Sequence, residues 1–141
     1  MAEWESQERH GGCLCGAVRF SAKGAPLWSA HCHCRSCRKA TGSAMATYVG
    51  YLKPQVAQTG AQPASHSSSP GVVRQFCGTC GTPISYQGER WPDEVHLFLC
   101  TFDEPESIEP KGHVYTAEQL SWLKLADGLP RHAGTTSEDD G

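Results

Sequence analysis

No stretch of the sequence approaches the roughly 20 consecutive apolar residues that a membrane-spanning helix needs. No block of basic residues occurs anywhere in its 141 positions either. The first absence argues against a membrane protein. The second argues against nucleic-acid binding, as does a formal net charge of -3 from 12 Lys+Arg against 15 Asp+Glu. Apolar residues are sparse as well, at 38%, below the globular average. A chain of this length makes a single domain, and with so little apolar surface it needs support beyond a hydrophobic core. The opening, Met1-Ala2-Glu3-Trp4-Glu5, carries no apolar secretory segment, so the expectation is a soluble, cytoplasmic protein.

What is abundant is cysteine, glycine and proline, at 8, 15 and 9 residues. Glycine and proline punctuate the chain into short pieces, as in an all-β domain. Candidate strands are 17–22, 27–31, 44–49, 72–76, 83–86 and 95–102. Two weak strands, 56–59 and 64–68, are expected to form a pair turning at Gly60. Ser69-Pro70-Gly71 reads as a hairpin turn. One or two short helices complete the expectation. Ser36–Ala40 can form a turn ended by Gly42, and Thr116-Ala117-Glu118-Gln119 has the capping-box pattern ahead of Leu120, Trp122, Leu123 and Leu125. Trp122 is assigned to the core on that pattern. The domain is expected over 11–132, between a flexible N-terminus (1–10) and a flexible acidic tail (133–141) holding Glu138, Asp139 and Asp140.

In a reducing compartment a cysteine-rich chain points to metal binding or catalysis more than to disulfides. The spacing agrees. Cys13-Leu14-Cys15 and Cys77-Gly78-Thr79-Cys80 are two short-spaced pairs, which read as the halves of one tetrahedral structural zinc site. Cys32, Cys34 and Cys37 fall within six residues, close enough to wrap a second ion. Three thiolates leave a position open, the mark of a catalytic zinc, unless His31, His33, His96, His113 or Cys100 closes the site. A zinc with three thiolates has a net charge near -1, so it polarises water less than a histidine-bound zinc but still deprotonates a coordinated thiol. A thiol substrate is therefore favoured over hydrolysis. His31 and His33 point away from Cys32 in an extended segment, which suits a contact behind the ligands or with the substrate better than ligation. Cys100, alone at a strand end, reads as a buried hydrophobe.

Three ordered motifs carry a resemblance. Gly11-Gly12-Cys13-Leu14-Cys15-Gly16-Ala17-Val18-Arg19-Phe20, Cys32-His33-Cys34-Arg35-Ser36-Cys37-Arg38-Lys39-Ala40-Thr41-Gly42 and Arg74-Gln75-Phe76-Cys77-Gly78-Thr79-Cys80-Gly81-Thr82-Pro83 resemble the glutathione-dependent formaldehyde-activating enzyme family, which includes centromere protein V. Phe102-Asp103-Glu104-Pro105 and Pro110-Lys111-Gly112-His113-Val114 extend the likeness. The resemblance implies an all-β, Mss4-like fold with two zinc ions per chain. Cys13, Cys15, Cys77 and Cys80 would hold the structural ion, and Cys32, Cys34 and Cys37 the catalytic one. The implied activity is that of a carbon–sulfur lyase joining glutathione, or a related thiol, to a small aldehyde such as formaldehyde. The family's usual glycine is replaced here by Cys100. A non-catalytic zinc module for protein interaction is the alternative that the fold permits.

Arg35, Arg38 and Lys39 cluster beside the three cysteines, where they could attract the carboxylates of a glutathione-like thiol. Arg74 shares a strand face with Phe76 and is expected to have a structural role, paired to Asp103 or Glu104. His113 is expected to make a structural hydrogen bond.

Overall fold

The structure, a computed structural model, describes residues 7–136; residues 1–6 and the acidic residues Glu138, Asp139 and Asp140 lie outside them. The described residues form a predominantly β protein of two sheets with one short α-helix. The strands are β1 (Glu8–Gly12), β2 (Arg19–Lys23), β3 (Trp28–Cys32), β4 (Ala46–Leu52), β5 (Val56–Gln58), β6 (Ala64–Ser69), β7 (Val72–Phe76), β8 (Pro83–Gly88), β9 (Glu94–Phe98) and β10 (His113–Val114). The helix α1 spans Arg35–Thr41 between β3 and β4. One sheet has the order β1-β2-β5 and the other β10-β3-β4-β9-β8-β7-β6. Among the described residues, no helix is long and apolar enough to cross a membrane.

Alternation along the central strands builds the layers. Val49 and Tyr51 of β4 and Val95 and Leu97 of β9 point into the core, where they meet Val18, Phe20, Ala22, Leu99 and Phe102. Tyr48 and Phe98, one position off that face, join a second cluster with Cys32, Cys37, Trp28 and Tyr86. β9 lies between β4 and β8 and is buried at its three central positions. The seven-stranded sheet thus has one face committed to the core and one to the cysteine trio. Burial of this modest core on Cys13 and Cys77 couples the packing to the four-cysteine cluster at its end.

Several local expectations are corrected. The weak strands 56–59 and 64–68 both form, as β5 and β6, but they do not pair with each other: β5 joins β2 and β6 joins β7. β6 registers against five residues of β7, more than the three that β5 could offer it, and this outweighs the local turn. β1 begins at Glu8, inside the segment expected to be loose, because its backbone pairs with β2 from Glu8↔Lys23 to Gly12↔Arg19. Past position 132, the carbonyls of Ala133 and Gly134 still accept hydrogen bonds from Ala117 and Tyr115, and Thr135 is buried.

The second helix is absent. Thr116–Glu118 makes only a 3₁₀ turn, after Tyr115 at a positive φ of 55°. Its capping groups are taken by distant partners: the Thr116 hydroxyl and N–H both donate to the His132 carbonyl, and the Glu118 carboxylate accepts from the Arg35 N–H. Trp122 consequently lies outside the core, 67% exposed. The expected first helix does form, with the Cys34 sulfur accepting from the Cys37 N–H at its start and Gly42 at φ 68° closing it.

Candidate metal centres and the cavity beside them

The turn between β1 and β2 and the turn between β7 and β8 bring Cys13, Cys15, Cys77 and Cys80 together, with all four sulfurs within 4.8 Å of one another. The sulfur–sulfur separations are 3.5 Å for Cys13–Cys15 and 3.8 Å for Cys15–Cys77. Four sulfurs at about 2.3 Å from a tetrahedral zinc lie about 3.8 Å apart, so this donor set fits zinc. Gly16 and Gly81, each just after the second cysteine of its pair, have φ of 85° and 83°. These left-handed turns swing backbone N–H groups toward sulfur. The Val18 N–H reaches Cys13 at 3.2 Å, and the Thr79 and Cys80 N–H groups reach Cys77 at 3.4 Å. Because one pair belongs to the three-stranded sheet and the other to the seven-stranded sheet, the cluster ties the two together.

The four thiols sit in unequal electrostatic surroundings. The Thr82 hydroxyl, followed by backbone N–H groups, holds Cys80 down to about 5. The Ala17 N–H favours the Cys15 thiolate, but the adjoining sulfurs and burial outweigh it and push that thiol up to about 12. Such a set releases protons readily once a cation supplies the missing charge.

Cys32, Cys34 and Cys37 form the second group, also within 4.8 Å of one another. Cys32–Cys37 is 3.6 Å and Cys34–Cys37 is 3.2 Å. β3 delivers Cys32, while Cys34 and Cys37 sit at the start and on the buried side of α1. Among the described residues, no fourth His, Cys, Asp or Glu joins this trio at that distance.

The candidate closing ligands are accounted for individually. His31 Nδ1 is 2.8 Å from the Thr47 hydroxyl. His33, fully buried, places Nε2 2.9 Å from His113 Nδ1, and His113 Nε2 is 2.8 Å from Asp127. His113 thus makes the structural hydrogen bonds expected of it. His96 Nε2 is 3.0 Å from Glu94. Cys100, expected to be buried, is exposed in a 3₁₀ turn after β9; that turn ends the strand early and rotates the thiol outward.

Two residues act on the trio that the sequence reading did not place there. The Tyr48 hydroxyl donates to Cys37 at 3.3 Å, and the Arg74 guanidinium reaches Tyr48 Oη at 3.3 Å and Cys37 Sγ at 3.9 Å. With Cys32 and Cys34 donating first, then Tyr48 and Arg74, Cys37 is pulled down to about 2. Cys32 is pushed up by the sulfurs of Cys34 and Cys37 and by burial. Arg74 does not pair with Asp103, which binds Arg19 at 2.6 Å instead. The signal available in the sequence was an arginine on the face of β7 shared with Phe76; that β4 would bring a tyrosine between it and Cys37 required the long-range register.

The trio lies in the wall of a cavity of about 1480 Å³, lined also by Arg35, Lys39, Tyr48, Arg74 and His96. Arg35 and Lys39 of the sequence-identified cations face it. Arg38 is held elsewhere, donating to the carbonyls of His33 and Glu118, and borders a shallow hollow with Trp122.

A two-sheet β fold tied by four thiols, with a second, three-thiol group on a cavity, defines a zinc-stapled protein of the Mss4-like kind. The chain matches the glutathione-dependent formaldehyde-activating enzyme family over residues 8–118 and belongs to it. It is also similar to a solved Rhodobacter sphaeroides protein from a structural-genomics programme, at 18% identity and a TM-score of 0.57, covering 87% of this chain and 98% of that one. At that identity the likeness speaks for the fold. No curated protein matches the sequence.

Proposed function

We propose that this protein is a zinc-dependent carbon–sulfur lyase-type enzyme that joins glutathione or a related thiol to an aldehyde. The observation that carries the reading is the three-thiol group on a large cavity with no fourth protein donor among the described residues. Bound by Cys32, Cys34 and Cys37, zinc would supply a Lewis-acid position that favours the thiolate form of an incoming thiol. The four-thiol cluster would hold a structural zinc, giving two ions per chain.

The chain's own residues supply the rest. Arg35 and Lys39 offer the thiol's carboxylates two cations at the cavity wall. Arg74 offsets charge on Cys37 and Tyr48 donates a hydrogen bond to it, and the remaining guanidinium N–H groups of Arg74 can stabilise the oxygen that becomes negative as the carbonyl opens. In the overall step a sulfur–carbon bond forms and the carbonyl π pair moves to oxygen. The oxygen gains a proton equivalent to the one lost by the thiol, so the addition needs no oxidant or reductant.

The test is a count of bound metal followed by calorimetric titration with glutathione and detection of the hydroxymethyl adduct from labelled formaldehyde. Two zinc ions per chain, heat on adding glutathione and catalysed adduct formation are expected. A second ion with four protein ligands, together with no response to glutathione, would refute the reading.

A further inference from the structure

The cavity floor is a row of rings built across the seven-stranded sheet. Neighbouring strands place Trp28 opposite Gly50, Gly50 opposite His96, His96 opposite Tyr86, and Tyr86 opposite Arg74. All of these but Gly50 line the cavity. Gly50 is required for the arrangement: a Cβ there would sit 2.3 Å from the indole of Trp28, so only glycine lets the indole lie over β4. The ring is then pinned, because Trp28 Nε1 donates to Glu94 Oε1 at 3.1 Å, the same oxygen that meets His96 Nε2. Tyr86 stacks on His96 with centroids 5.5 Å apart and carries the Arg74 guanidinium 5.0 Å above its ring. Trp91 approaches His96 at 5.3 Å from the loop after β8.

Trp28, Tyr86 and Trp91 are only partly buried, so apolar ring surface is left facing the cavity. Formaldehyde offers nothing to stack on it, and the cavity exceeds the roughly 300–1,000 Å³ of an ordinary small-molecule pocket. A glutathione-like thiol is polar and suits the cations at the α1 side, Arg35 and Lys39. The ring floor lies on the sheet side, with Arg74 between it and Cys37. That division assigns the floor to the other reactant.

We infer that the aldehyde taken by this site is an aryl aldehyde, whose ring lies on the Trp28–His96–Tyr86 floor while its carbonyl faces the cysteine trio. This rests on the thiol–aldehyde reading above. The product is the corresponding thiohemiacetal: thiol sulfur bonds to the benzylic carbon, the carbonyl π pair moves to oxygen, and that oxygen takes up the thiol's proton and stays on the carbon as a hydroxyl. No redox change is involved.

Benzyl alcohol, which cannot form the adduct, probes the floor alone. Added to the zinc-loaded protein, it is expected to quench tryptophan fluorescence saturably and to bind about tenfold tighter than 1-hexanol, the margin that one favourable ring contact supplies. It should inhibit adduct formation competitively against the aldehyde. Trp28→Leu should weaken benzyl alcohol binding by about tenfold with metal content and melting temperature retained. Gly50→Ala, which pushes the indole off the strand without removing it, should act in the same direction. No saturable binding of benzyl alcohol while formaldehyde still gives adduct would overturn the inference and leave the enzymatic reading intact. Competition against glutathione in place of the aldehyde would also overturn it, by giving the ring to the thiol. Ring-selective binding with no adduct from any aldehyde would keep the floor as an aryl subsite and remove the chemistry.

Discussion

The two cysteine clusters use the same ligand and differ in everything around it. In the four-thiol cluster, Cys15 and Cys80 are exposed, and the sulfurs are served mainly by backbone N–H groups from glycine-containing turns. In the three-thiol cluster, Cys32 and Cys37 are buried, and Cys37 receives a tyrosine hydroxyl and an arginine. Four thiolates around a dication leave a charge near -2 that water can solvate. Three leave a charge near -1, which the Arg74 cation can offset inside the protein. Exposure is therefore a poor guide to function here. The cluster nearer solvent has four protein sulfurs, while the more buried one has three and lines a cavity.

The largest test of this contrast is to remove one ligand from each. Cys77→Ser should lose the staple between the sheets, costing on the order of 10 kcal/mol of metal-coupled folding, and circular dichroism should show an unfolded chain. Cys34→Ser should lose the second ion and glutathione binding yet keep the β spectrum. If the two variants unfold alike, the division into staple and reaction site is wrong.

Arg74→Leu should lower kcat/KM by about 100-fold, since it strands charge on Cys37 and removes the donor to the carbonyl oxygen, a loss of roughly 3 kcal/mol. Arg74→Lys should restore part of it. Tyr48→Phe, which deletes one neutral donor to the same sulfur, should cost about tenfold. Steady-state kinetics with fixed glutathione would rank the three.

Acidification should reveal the histidines behind the trio. Burial, then the neighbouring His113 and Arg131, lowers His33 to about 4 from 6.5. The unfolded chain therefore takes up a proton between pH 6.5 and 4 that the folded chain refuses. Stability from this group is complete above 6.5 and is lost as pH falls through that window. Thermal melts across it should show a falling midpoint, and His33→Gln should flatten the slope. The smallest effect is expected at Asp103→Asn: the Arg19 pair is about half exposed on the aspartate side and contributes at most about 1 kcal/mol, readable by urea titration.

Much of this was legible from local pattern. Helix α1, strand β7 and both cysteine groups follow from spacing over a few residues, where covalent geometry restricts the outcome. β9 was legible because a strand buried on both sides carries a nearly continuous apolar run. The segment after Tyr115 was misread because Thr116 and Glu118 satisfy distant backbone groups and not their own, and a capping pattern cannot show competing partners. Arg74 was assigned the wrong partner for a similar reason. Which acceptor lies opposite an arginine depends on strand order, and β7 neighbours β8 while Tyr48 arrives from β4, two strands further across the sheet.

The amino-acid order alone settled that thiols would gather as a four and a three, that glycines would turn the chain around the four, and that the intervening pieces would be short strands. Short-range spacing decides these things, since a few bonds leave few conformations. Only the folded sheet decided which side chains meet the trio, that no further described ligand reaches it, and that aromatic rings pave the cavity beside it. Those contacts join residues from separate strands, and their positions are set by register and twist across the whole layer.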